Sequence, residues 1–196
     1  FEVGVHGLKH DGKLYASRRI FQERAIRINQ YIQEWKATGF RSPSMHHNLD
    51  WLHELNIEYD ASTFDTDPFE PQADGAGVIF PFWVGRAGGD HEGYVELPYT
   101  LPQDFTLFIL LRETSVALWK KKLDWIAEKG GMALLNTHPD YIRFDRRPLQ
   151  EEEYPAAHYQ QFLEDVQTRY TGQYWAVLPR DLARFYARRR KEASVP

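Results

Sequence analysis

Strands and helices taking turns along the chain predict an α/β fold, a parallel sheet or barrel covered by helices. Two observations carry that prediction. Apolar residues recur at helical spacing in several separate stretches, and short extended runs bounded by Gly, Pro, Asn or Asp lie between them. Polar clusters also stand at the ends of four of the extended runs, as they do where parallel strands deliver residues to one edge. With 196 residues, 42% of them apolar and 15% aromatic, residues 1–196 are enough to bury a core as one domain.

The elements follow in order. Residues 2–6 alternate as a strand. Ser17 to Trp35 form a helix, with Ile20, Ala25, Ile28, Ile32 and Trp35 on its apolar stripe and Gly39 just beyond its end. A short strand leads into "GFRSPS". Asn48 caps a short helix holding Leu49, Leu52 and Leu55, and "NIEYDAS" returns to extended structure. From Thr66 to Asp104 the composition turns to Pro, Gly and aromatics, with strand-like runs at "GVIFPFWV" and "GYVELPY" inside a long surface excursion. A helix through "SVALWKKKLDWIAEKGG" ends on glycines. The apolar strand "MALLNTHPD" follows, then helices across "AAHYQQFLEDVQTRY" and "PRDLARFYARRRKE".

Charge and composition exclude several functions. Twenty-four basic against 28 acidic residues give a net charge of −4, so no overall basic field exists to hold nucleic acid. "RRRK" at 188–191 offsets a helix dipole, and "HHN" at 46–48 opens a surface helix. No stretch approaches the roughly 18 apolar residues of a membrane span, and the N-terminus lacks the layout of a signal peptide. The expectation is a soluble protein, cytoplasmic or periplasmic. Without cysteine, any metal must be held by histidine, carboxylate and water.

The polar clusters share an address. His6 ends the first strand, Arg41 follows the second, Asp60 to Asp67 follow the third, and His138 ends "MALLNT". In barrels and open parallel sheets, chemistry collects at these carboxyl ends. His6 and His10, four apart, are the candidate metal ligands.

Together these segments resemble one family. "EVGVHGLKHDG" looks like the His-x-x-x-His metal motif of NodB-type polysaccharide deacetylases, and "GFRSPS" is similar to their Arg-x-Pro motif. "YDASTFDTDPF" resembles the acidic segment that follows it, and "LLNTHPDY" resembles the closing Leu-x-x-His motif. Order and spacing agree over about residues 2–145. The resemblance implies a seven-stranded (β/α) barrel, a divalent metal such as zinc on His6 and His10, and hydrolysis of N-acetyl groups on the amino sugars of a polysaccharide. A metal held by neutral imidazoles polarises a carbonyl and lowers the pKa of bound water. The leaving amine needs a proton, and His138 resembles the general acid that supplies it. Its carboxylate partner is expected from Asp60, Asp65 or Asp67, with Asp67 carried among the catalytic candidates. Arg41 resembles the arginine that orients the catalytic carboxylate through its rigid fork. Pro43, Ser44 and Tyr99 are the expected substrate-binding residues.

The family's Asp-Asp pair, which supplies the general base and a third metal ligand, has no counterpart in this sequence. Asp11 is nearby, with nothing to say which way it points. The chain opens on Phe1-Glu2-Val3-Gly4-Val5, already alternating as a strand and without methionine. The expectation is therefore an N-terminally truncated domain whose barrel stays open because its first β-α unit is absent, and which forms a homo-oligomer or is otherwise covered at the gap. Two other readings stand beside a deacetylase or its inactive remainder. One is a non-catalytic carbohydrate-binding protein stacking sugars on the aromatics of "FPFWVG" and "GYVELPY", and the other is an oligomerising structural module.

Overall fold

The computed structural model describes residues 1–65, 75–86 and 89–193. The chain folds as two compact units. Phe1–Phe64, Phe80–Pro98 and Val177–Pro196 make the first; Asp65–Ile79 and Tyr99–Ala176 make the second. Among the described residues no helix is long and apolar enough to cross a membrane.

In the first unit, Ser17 is extended and its Oγ accepts the Ile20 N–H, which starts helix α1 (Arg18–Trp35). The buried face is Phe21, Ala25, Ile28 and Ile32, spaced by four, three and four residues. This stripe is rotated from the expected one: Phe21 is buried, Ile20 is half-exposed and Trp35 is 50% exposed. Each fully buried side chain on that face contributes about 1.5–3 kcal/mol. The helix ends at Lys36, whose left-handed backbone (φ 52°) turns its N–H onto the carbonyls of Gln33 and Ile32. Gly39, expected as the stop signal, instead lies in strand β1 (Gly39–Phe40), where a Cβ would sit 2.0 Å from the Tyr59 ring. Asn48 caps the short α2 (Leu49–Leu52) by accepting the Trp51 N–H.

The sheet of this unit contains β1, β2 (Tyr59–Asp60), β3 (Phe82–Arg86) and β4 (Gly89–Glu96), in the order β1-β2-β4-β3. β1, β2 and β4 are parallel; β3 pairs antiparallel to β4. Residues 2–6, expected as a strand, contribute one parallel bridge, Val5 to Phe40. The registers align Val5, Phe40, Asp60 and Glu96 in one row across the sheet. Val5, Phe40 and Tyr94 pack with the buried face of α1. Helix α5 (Pro179–Ala193) packs against β2 and β4, with Arg184 on Glu58 and the Arg180 N–H on Glu2.

In the second unit, α3 (Ala117–Lys129) ends on Gly130 in the left-handed conformation, and α4 (Ala156–Tyr170) packs beside it. A π-helical turn, Phe105–Leu110, brings Leu107 and Phe108 into a core with Trp119, Ile126, Tyr154 and Phe162. The Trp119 indole donates to the Pro102 carbonyl at 2.6 Å, which satisfies the polar edge of the largest buried side chain. β5 (Ile142–Arg143) and β6 (Tyr154–Pro155) form a small parallel pair.

The expected seven-stranded barrel is not formed by the described residues, whose strands make one four-stranded and one two-stranded sheet. "MALLNT" shows the physical reason. Thr100 uses its hydroxyl to bond the Met132 carbonyl and receive the Leu134 N–H, while Thr100 N and Leu101 N both turn to the Leu134 carbonyl. A side chain thus occupies ladder positions that a regular strand pair would need.

Candidate functional site

In the first unit, Val5, β1, β2 and β4 run parallel, so the residues after them come to the same edge of the sheet. His6 follows Val5 and Arg41 follows β1. The imidazoles of His6 and His10 lie 5.6 Å apart between ring centroids. His6 Nδ1 donates to the Arg41 carbonyl at 2.9 Å, which leaves Nε2 as the ring's lone-pair nitrogen. Gly7 lets the loop between them lie on Pro43: its φ is +74°, and a Cβ there would meet Pro43 Cγ at 2.7 Å. Ser44 and Met45 both hold left-handed backbone, φ 57° and 55°, a strain of about 1–3 kcal/mol each at non-glycine residues. Of the expected substrate-binding residues, Ser44 is exposed and Pro43 is buried beneath Gly7.

Asp11 does not join the histidines. Both its oxygens receive the Arg24 guanidinium at 2.7 Å and one also receives the Lys13 N–H, which holds its carboxyl well below the usual range. Among the described residues no group of three or more His, Asp or Glu side chains is placed to hold a metal ion. A catalytic zinc takes three protein ligands, and His6 with His10 supply two. The described residues therefore do not fit a complete catalytic zinc centre.

In the second unit, His138 has a built partner. Its Nδ1 lies 2.6 Å from Oδ1 of Asp104, whose side chain is wholly buried while that of His138 is 38% exposed. Asp104 Oδ1 also accepts the Phe105 N–H, and Oδ2 accepts the His138 N–H and the Tyr154 hydroxyl. Burial and the Asp104 charge push the Tyr154 phenol far up, so it remains a donor. This arrangement holds the ring with Nδ1–H on the carboxylate and Nε2 on the outer side, the geometry of an oriented acid or base.

The described part of the acidic segment does not provide this partner, which is Asp104 instead. Asp65 pairs with Lys122 at 2.6 Å, Asp60 is buried among Ser62 and Glu96 in the first unit, and Asp67 lies outside the described residues. Tyr99 is 1% exposed, so its ring does not form an open substrate wall. Tyr94 is also buried, and the Arg190 guanidinium lies over Trp83; of the aromatics proposed as a sugar-stacking groove, Phe80 is the exposed one.

Two groups were missed from the sequence. Asp104 sits in "LPQDF", where it reads as a helix cap, a role it also performs through Phe105. Glu96 sits in "YVELPY", and a lone carboxylate inside an apolar run was the available signal. Glu96 is fully buried and faces Asp60, its register partner on β2.

The fold is similar to the crystal structure of a "putative polysaccharide deacetylase" from Mycobacterium smegmatis, with a TM-score of 0.69 and 20% identity over 97% of this chain. The chain spans 64% of that protein's length. No family model and no curated protein matches the sequence. The chain is thus an α/β protein with a deacetylase-like fold.

Proposed function

We propose that the chain belongs to an enzyme that hydrolyses N-acetyl groups on the amino sugars of a polysaccharide. The observation that carries this reading is the Asp104–His138 pair, found in a fold similar to a polysaccharide deacetylase. Hydrolysis breaks the amide C–N bond; water adds its hydroxyl to the acyl carbon and a proton goes to the nitrogen, giving acetate and a free amine. His138 Nε2 is the proposed donor of that proton, and Asp104 positions the ring and offsets the imidazolium charge. Arg41 is the proposed orienting cation, and Ser44 the exposed polar contact for substrate. His6 and His10 are the proposed ligands of a divalent cation such as zinc, with low affinity because they are two.

The family's base has no counterpart among residues 1–196, and loss of one member of a catalytic set costs several orders of magnitude. The test is acetate release from N-acetylglucosamine oligomers, with zinc present, by residues 1–196 and by a form extended with an Asp-Asp-bearing strand ahead of Phe1. Release by the extended form alone, lowered about 10²–10⁴-fold by His138→Ala with zinc affinity unchanged, is expected. Oligosaccharide binding without hydrolysis in both forms would replace this reading with the non-catalytic one.

A further inference from the structure

Asp60 and Glu96 are ionisable, fully buried and adjacent in one row of the sheet, and the chemistry proposed above uses neither. Their hydrogen bonds are unequal. Asp60 Oδ2 accepts the Ser62 N–H at 3.1 Å and Oδ1 accepts the Ser62 hydroxyl at 2.7 Å. Glu96 Oε1 accepts both the N–H and the hydroxyl of Thr63, at 3.0 and 2.6 Å, whereas Oε2 accepts from no donor among the described residues. Two buried carboxylates facing each other repel strongly, and one proton removes the conflict. The pattern says where it resides. Asp60 takes donors on both oxygens, as a carboxylate does; Glu96 takes two on Oε1, as a carbonyl does, leaving Oε2 to carry hydrogen and give it to Asp60.

The pair is joined to the Arg41 segment. The Ser62 hydroxyl that donates to Asp60 accepts the Ser42 N–H at 2.8 Å, and the Ser42 hydroxyl shares a 2.6 Å hydrogen bond with Tyr15. Ser42 lies between Arg41, whose carbonyl holds His6, and the left-handed pair Ser44 and Met45. We propose that Asp60 and Glu96 hold a single proton, on Glu96 Oε2, and that this acid pair positions the segment Arg41–Met45 through Ser62 and Ser42. Among the described residues the phenols of Tyr15 and Tyr94 are coupled to the pair, and both are pushed far up by burial and by these two carboxyls, so they stay neutral. Burial raises both acids, and the neighbouring Asp60 charge raises Glu96 well above an ordinary glutamate. The proton assignment is independent of the reaction; its bearing on the orienting role of Arg41 rests on the deacetylase reading.

The test uses the 196-residue chain with carbon-13 in its Asp and Glu carboxyl groups. At neutral pH one glutamate resonance, the one absent from Glu96→Gln, is expected at the position of a protonated acid, while Asp60 is ionised. Hydrogen exchange at the Ser42 amide supplies the second readout. Wild type is expected to lose Ser42 protection about tenfold beyond the ordinary pH trend once the Glu96 resonance titrates. Glu96→Gln, whose amide donates to Asp60 at any pH, keeps the protection throughout. Asp60→Asn, which turns a donor toward Ser62, loses it at every pH. An ionised Glu96 at neutral pH in the wild type overturns the proposal without any variant, and so does Ser42 exchange that Asp60→Asn leaves unchanged. Neither result depends on acetate release, so the two readings fail separately.

Discussion

Asp104 satisfies four donors with two oxygens, and this makes it more than a partner for His138. Replacing it by Asn puts an amide N–H against groups that themselves donate. Asp104→Asn is expected to lower stability by about 3 kcal/mol in urea unfolding, the scale of breaking a buried charged network, whereas Tyr154→Phe should cost about 1 kcal/mol. At the histidines, zinc titration calorimetry should give weak binding that falls together in His6→Ala and His10→Ala; equal binding by wild type and His6→Ala would remove the proposed ligand pair. The motif spacing placed His6, His10, Arg41 and His138 as candidates, because His6, Arg41 and His138 end or follow extended runs and His10 stands four residues beyond His6. It could not show that Asp11 turns to Arg24, since that choice depends on which helix packs over the loop.

At the level of elements, local chemistry was legible and register was not. Ser17 and Asn48 cap helices because a short polar side chain reaches an N–H two or three residues on, and Gly130 ends α3 because it takes a left-handed turn without strain. Ser17→Ala should cost about 1 kcal/mol in thermal or urea unfolding. Lys36 was unreadable as a stop, since lysine has no preference for the left-handed turn it adopts. Lys36→Gly should stabilise by about 1 kcal/mol by removing that penalty, and an unchanged midpoint would show the turn is unstrained. Gly39→Ala is expected to destabilise by about 1–3 kcal/mol or more, because its Cβ enters the space of the Tyr59 ring. The same glycine looked like a helix terminator in sequence, where the Tyr59 ring, 20 residues away, cannot be seen.

Over the whole molecule, two sets of carboxyls tilt stability in opposite directions with pH. Asp11, Asp145, Glu153 and Asp165 are held below their ordinary values first by side-chain hydrogen bonds from Arg24, Arg147, Arg143 and Lys120. Groups lowered in the folded state add stability above their unfolded pKa and lose it as pH falls through the folded value. Glu96 is raised, so its contribution is full below the unfolded glutamate value and declines as pH rises through the folded one. Urea midpoints from about pH 3 to about pH 9 should show an acid loss that salt shrinks in part, since the Asp145–Arg147 pair is exposed and the other three are half-buried, and an alkaline loss that salt leaves alone. A salt-sensitive alkaline limb would place its cause at the surface instead of at Glu96. By itself the sequence determined the α/β class, the main helices with the caps at Ser17, Asn48 and Gly130, and the histidines worth testing, because these depend on neighbours within a turn or two of chain. Only the tertiary structure decided that Asp60 meets Glu96, that Asp104 meets His138, and that the described strands form an open sheet. Those partners stand 36 and 34 residues apart, and their meeting is set by register and packing, where a slip of one residue would turn every side chain to the other face.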